Sequence, residues 1–460
     1  MADALSTPHT AISRRQDWTQ GPILHNLVLL SWPAIVMEAL YMVSQVMDMV
    51  WVGRSGSAAI AALGICSLVT LMLSTVDMAL VGGARAVIAR FMGAGEIENA
   101  RRAVGQIYLI AATWGTFVTV VGSLLVGWVI GIFGVENAVV QEAIKYLRIV
   151  FAGWLSMEMH VMGLYLVQST GDSFNPMVTQ ISVRAVHIIV CPLFVLGIGI
   201  LPQLGIAGAA IANVTAQVIG GMVGFWLLFS GRTRLKLSLR DFRFVPNITW
   251  RVIKIGFPSL ISMLQANFSQ FVLTWIVVPF GTVAVAANSL ANNINSFVIT
   301  PNLGMGGAVG VLVGQNLGAK KPERAIKSTW LGAAILEGFL ISCSILILVF
   351  AERIIGFFDN DPALIATGAT FLRIVTASYL VIGVNYALSS CINGAGDTLP
   401  NMLVNIGMIW VLQIPFAYLL SHFTGLGVYG VRWAVVIGIL GGSIAYFTYF
   451  RLGRWKRKRV

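Results

Sequence analysis

Apolar residues fall into twelve long runs separated by short polar segments. A helix needs about 20 apolar residues to cross a bilayer, and each run reaches that length. The first six predicted helices are 24–52, 58–90, 102–130, 138–168, 175–198 and 204–229. The second six are 252–279, 283–316, 326–350, 363–393, 400–421 and 427–450. The polar stretches between them are too short to form a soluble domain.

Composition removes the alternatives. Apolar and aromatic residues make up 57% of the chain and charged residues only 10%, against about 25% charged in an ordinary soluble domain. That balance excludes a soluble enzyme, a disordered tail protein and a secreted disulfide scaffold. Cys66, Cys191, Cys343 and Cys391 each lie in an apolar run without paired spacing, so free buried thiols are expected. The first 25 residues are polar and lack a cleavable signal pattern, so the first span is expected to act as its own insertion signal.

The net charge of +12 would suggest nucleic acid on a soluble protein. Here the bases cluster between apolar runs, so topology explains them and no nucleic-acid partner is expected. With the N-terminus inside, 23 Lys and Arg lie on the inner side, from Arg14 and Arg15 through the bases around the 2–3, 6–7 and 8–9 loops (Arg85 and Arg90, at the inner end of the second span, among them) to Arg459. Six lie outside: Arg54, Lys145, Arg148, Arg353, Arg373 and Arg432. Both termini are therefore expected in the cytoplasm and the chain in the inner or plasma membrane.

The two halves repeat at an offset of 225 residues. GSAAIAA at 56–62 faces GTVAVAA at 281–287, LRIV at 147–150 faces LRIV at 372–375, and GDSFNPM at 171–177 faces GDTLPNM at 396–402. The register then slips by three, so that LGIAG at 204–208 faces LGVYG at 426–430. Six spans per repeat is an even number, so both halves run the same way through the membrane. The expected fold is an all-α polytopic membrane protein, with twelve transmembrane helices in two six-helix lobes related by pseudo-two-fold symmetry. Its parts would be a cytoplasmic tail over 1–23, a first lobe over 24–230, a basic cytoplasmic linker over 231–251, a second lobe over 252–450 and a basic tail over 451–460.

Each half carries an apolar span opened by a proline (SWP at 31–33, GFP at 256–258), a turn ending in glycine, GA-x5-A after the second span, and a GD segment before the fifth. Over about residues 25–450 this series resembles the multidrug and toxic compound extrusion (MATE) family. The resemblance implies export of organic cations or other amphipathic compounds in exchange for H⁺ or Na⁺. It also places the exchanging carboxylate at Asp48, in QVMDMVWVG. Many members carry Asn-x3-Asp-Pro on the fifth helix; this chain reads HIIVCP, with His187 and Cys191 at those places. Branches with acids on helices 7 and 10 have no counterpart here, where Gln265, Asn267 and Asn385 stand nearby.

Ionisable groups inside a bilayer are costly and so mark functional sites by default. The acids are Glu38, Asp48, Asp77, Glu158 and Glu337, four of them in the first half. Asp48 shares a helix face with Gln45 and Tyr41, and a carboxylate in a low-dielectric cavity can exchange a proton near physiological pH. Glu38, Asp77 and His187 are further coupling candidates. Glu158, Cys191, Trp275, Asn385 and Tyr386 are candidates for a substrate cavity with Tyr41 and Gln45, because carboxylates and aromatic faces attract lipophilic cations. Gly306, Gly310 and Gly314 form a close-packing stripe. GAGE and NGAGD lack the lysine of a phosphate loop. No catalytic constellation and no cofactor site is read, only a coupling ion, H⁺ more than Na⁺. A monomeric ion-coupled exporter follows, with a flippase for a lipid-linked substrate as the alternative.

Overall fold

The computed structural model describes residues 17–198 and 202–458; Arg14, Arg15 and Arg459 lie outside the described residues. Twelve helices there are long and apolar enough to cross a membrane. They are α1 (Ile23–Gly53), α2 (Ser57–Ala94), α3 (Ile97–Gly131), α4 (Asn137–Ser169), α5 (Phe174–Leu196), α6 (Ile206–Ser230), α7 (Pro246–Phe280), α8 (Thr282–Gly318), α9 (Pro322–Gly356), α10 (Pro362–Leu380, resuming at Ile382–Gly394), α11 (Thr398–His422) and α12 (Val428–Leu452). Helices close all their backbone bonds internally, which is what lipid demands.

Glycines set the ends, and they do so in matched pairs. Gly56 and Gly281 have φ of 107° and 93°, and Gly171 and Gly396 have 93° and 80°. After the register slip, Gly205 and Gly427 have 55° and 53°, and Gly231 and Gly453 have 69° and 67°. These left-handed conformations need a residue without Cβ. The duplication is thus present in the backbone angles as well as in the letters.

Contacts divide the chain into two units. One holds Asp17 and residues 36–253; the other holds residues 18–35 and 254–458 among those described. The first unit is built on α4, which packs on α2 and α6, while α5 packs on α6. Its core includes Cys66, Ala143, Leu147, Phe151, Trp154, Cys191 and Ala210. In the second unit α8, α9 and the second segment of α10 pack together. Leu27 and Leu30, from the start of α1, join Val309, Leu312, Leu336 and Leu388 in that core. The helix passes from one unit to the other just after Pro33.

Four expectations change in detail. Span 10 is not one continuous helix: a 3-10 turn at Ala377–Leu380 interrupts it. The linker is shorter than 231–251 because α7 already begins at Pro246. The preceding segment is ordered by Gln106 of α3, whose amide donates to Arg243 O at 2.7 Å and accepts from Val245 N at 2.9 Å. Arg85 and Arg432, counted with the bases of the inner and outer surfaces, instead donate to other helices of their units: Arg85 to Gln168 at 3.3 Å and Arg432 to Asn292 at 2.8 Å. Finally, the cysteines are free, but Cys343 is only half-buried.

The repeated GD segments are structural. Asp172 accepts from the Asn175 backbone and side-chain amides at 3.2 and 2.6 Å, which fixes the turn into α5. Burial pushes this loop carboxyl above its ordinary range. Its repeat partner Asp397 accepts from the Tyr449 hydroxyl and pairs with Lys458 at 2.8 Å.

Candidate ion-coupling site

Inside the first unit the polar side chains sort into three groups. Asp48, near the end of α1, meets α5. His187 Nε2 lies 3.2 Å from Asp48 Oδ1, and the Cys191 thiol donates to the same oxygen at 3.7 Å. His187 and Cys191 are four residues apart, so one face of α5 presents both. The imidazole side chain is 2% exposed and the carboxylate 17%. The ligand atoms of all three residues lie within 4.8 Å of one another, the single such His, Cys and carboxylate cluster among the described residues. One turn earlier, buried Arg184 stacks over the Tyr41 ring at 5.2 Å, and its charge acts on Asp48. Gln180 links this arginine to α4: with its amide oxygen toward Arg184 it accepts from Nε at 3.1 Å and donates to His160 Nε2 at 3.3 Å. His160 fits only because α6 offers Gly220 there; a Cβ at that position would lie 2.5 Å from the imidazole.

The second group surrounds Glu38, whose Oε1 accepts from the Tyr165 hydroxyl of α4 at 3.1 Å. Arg85 of α2 donates to Gln168 at 3.3 Å, and its charge acts on Glu38. The third group joins Asp77 of α2 to α3 and α4. Trp114 Nε1 donates to Asp77 Oδ1 at 3.0 Å, and the Glu158 carboxyl adjoins Asp77.

Asp48, His187 and Cys191 are therefore brought together, and Asp77 and Glu158 form a pair. Tyr41 and Gln45 are exposed, Tyr41 beneath Arg184. Arg85, Tyr165, Trp114 and Gln180 were not singled out from the sequence. Arg85 was legible only as one more base near a cytoplasmic loop, and aromatic or amide residues in an apolar span carry no signal until their partners are known.

The second unit differs. Glu337 Oε2 accepts from Val384 N at 3.2 Å, at the point where α10 resumes after its break. Asn385 donates to Ser443 Oγ at 3.3 Å, Tyr386 packs against the apolar core, and Trp275 is exposed. None of the last three lines the enclosed polar cavity of this unit. Because an amide oxygen can also accept from Val384, Glu337→Gln is expected to transport at close to the wild-type rate at matched expression. Vesicle uptake with both proteins measures it.

Twelve membrane-length helices with carboxyl, imidazole and guanidinium groups bonded in their interior define a multi-pass membrane protein of the transporter class. The MatE family model matches twice, over residues 33–193 and 258–419, and the chain belongs to the MATE family of transporters; it is not an enzyme. It is 25% identical over 449 residues to the probable multidrug resistance protein YpnP of Bacillus subtilis, covering 96% of this chain and 98% of that one. With the probable multidrug resistance protein NorM of Thermotoga maritima it shares 24% over 443 residues, covering 95% and 94%. Its fold matches a crystallised MOP superfamily transporter from Pyrococcus furiosus with a TM-score of 0.90, at 23% identity, covering 99% of this chain and all of that one.

Proposed function

We propose that this transporter exports cationic or amphipathic compounds in exchange for protons, with Asp48 as the carboxyl group that alternately holds proton and cation. The observation that carries this reading is the Asp48–His187–Cys191 cluster. Its three donors are an oxygen, a nitrogen and a sulfur. A hard cation such as Na⁺ is suited by a shell of several oxygens. A proton needs only a carboxyl group with a neighbour to pass it on, and His187 Nε2 lies 3.2 Å from this one. The neighbouring carboxyl groups of Asp77 and Glu158 add a second pair of acids in the same unit. Names of the curated relatives support a multidrug substrate range for the chain.

Expression in a host lacking its own drug pumps tests the substrate half. Accumulation of an ethidium-type cation should fall relative to Asp48→Asn, and a protonophore should abolish the difference. Equal accumulation in both strains would reject the reading.

The distribution of basic residues supports a cytoplasmic position for both termini. With native cysteines replaced, Asn137→Cys and Asn360→Cys should react with an impermeant maleimide added outside intact cells. Ser238→Cys should react only after the membrane is opened; labelling from outside would invert the orientation.

A further inference from the structure

The second unit encloses a cavity of about 80 Å³ that none of the preceding chemistry uses. Its polar lining comes from α7, α8, α10, α11 and α12: Gln270, Asn288, Asn292, Asn295, Ser378, Gln413 and Arg432. The three asparagines are spaced i, i+4 and i+7, which puts them on one face of α8. Arg432 enters from the first turns of α12 and is 4% exposed.

The bonding pattern leaves a surplus of donors. Arg432 Nη1 donates to Asn292 Oδ1 at 2.8 Å and Nη2 to the Asn288 carbonyl at 2.9 Å. Its Nε has no partner. The Tyr379 hydroxyl donates to Asn295 Oδ1 at 2.7 Å. The carboxamide oxygens of Asn292 and Asn295 are thus occupied, and their N–H groups remain. Among the described residues no carboxylate forms an ion pair with Arg432; the Phe371 ring lies 5.0 Å from its guanidinium carbon. A ring face offsets part of a buried positive charge, but an uncompensated guanidinium out of water is unfavourable. A buried positive charge beside the N–H groups of Asn292 and Asn295 forms a lining that is complementary to an anion.

We propose that this cavity binds one small singly charged anion through Arg432 and the amides of α8: a free halide, or the carboxylate of a transported compound. An anion there would supply the acceptor that Arg432 Nε lacks and the counter-charge that no side chain provides. The site is confined to the second unit and does not depend on the role given to Asp48.

Equilibrium binding of radiolabelled chloride and of radiolabelled acetate to the purified full chain tests this. At least one should bind, at about one ion per chain. Chloride alone identifies a halide site, acetate alone a carboxylate site, and mutual competition a site open to both. Arg432→Gln should abolish binding. Asn292→Asp is the sharper variant, since its carboxylate still accepts from Arg432 and so preserves the fold while providing the missing negative charge. It should lower affinity about tenfold or more, the scale of a lost charge-assisted hydrogen bond. If neither ion binds the wild type, or if folded Asn292→Asp binds as the wild type does, the assignment is wrong.

Discussion

Asp48→Asn should fold, insert and express normally, yet show gradient-driven transport no higher than protein-free vesicles. The amide has the size of the carboxyl group, and its oxygen can still meet the Cys191 thiol and His187, so the packing of α1 on α5 is retained. What it lacks is a charge that can appear and disappear. In the proposed cycle the ionised carboxylate holds the cation; protonation removes that charge, the cation leaves, and α1 is free to move. Pro33, which removes one backbone bond from the same helix, is the point at which bending is least costly. A neutral amide stays in one state throughout. Export by Asp48→Asn at near the wild-type rate would transfer coupling to another carboxyl group, first to Glu38.

Gly394→Ala should fail for a different reason, loss of the fold itself. A Cβ at position 394 would lie 2.3 Å from the Gly310 carbonyl oxygen and 2.7 Å from its Cα. These are backbone atoms of α8 and cannot rotate away as a side chain could. Overpacking a well-filled interior costs about 1–3 kcal/mol and occasionally more, and a backbone-to-backbone clash belongs at the upper end of that range. Fluorescence-detected gel filtration of detergent extracts should show a loss of monodisperse protein. Gly407→Ala, with no atom within 4 Å of its Cβ, should behave as wild type. A sharp, full-height peak for Gly394→Ala would mean that α8 and α10 pack less closely than described.

The contrast between these glycines shows what the letters carry. The stripe Gly306, Gly310 and Gly314 announced close packing on α8, but not its partner; that became visible only when α10 brought Gly394 onto Gly310. The span limits were legible because lipid imposes a length and a polarity on each run. The break in α10 was not, since no proline marks it. It is accommodated by Glu337 of a different helix, whose carboxylate accepts the Val384 amide. The π-helical segments at Val118–Gly122 and Gly407–Gln413 were equally silent.

The site was legible in a similarly uneven way. Asp48 and His187 stood out as ionisable groups in apolar runs, yet α1 and α5 are far apart in sequence, and nothing in either run stated that the two would touch. Arg85 and Arg432 fell inside predicted spans but were counted with the surface bases, because each lies within a few turns of a helix end. Sequence position gives depth along a helix but not the direction in which a long side chain points, and both reach inward.

The proton as coupling ion is the central claim, and reconstituted vesicles carrying one imposed gradient at a time test it most directly. With Na⁺ absent on both sides, a pH gradient alone should drive uptake of a fluorescent cation by wild-type protein and not by Asp48→Asn. Uptake driven by a Na⁺ gradient at equal pH on the two sides, with none driven by pH alone, would contradict it.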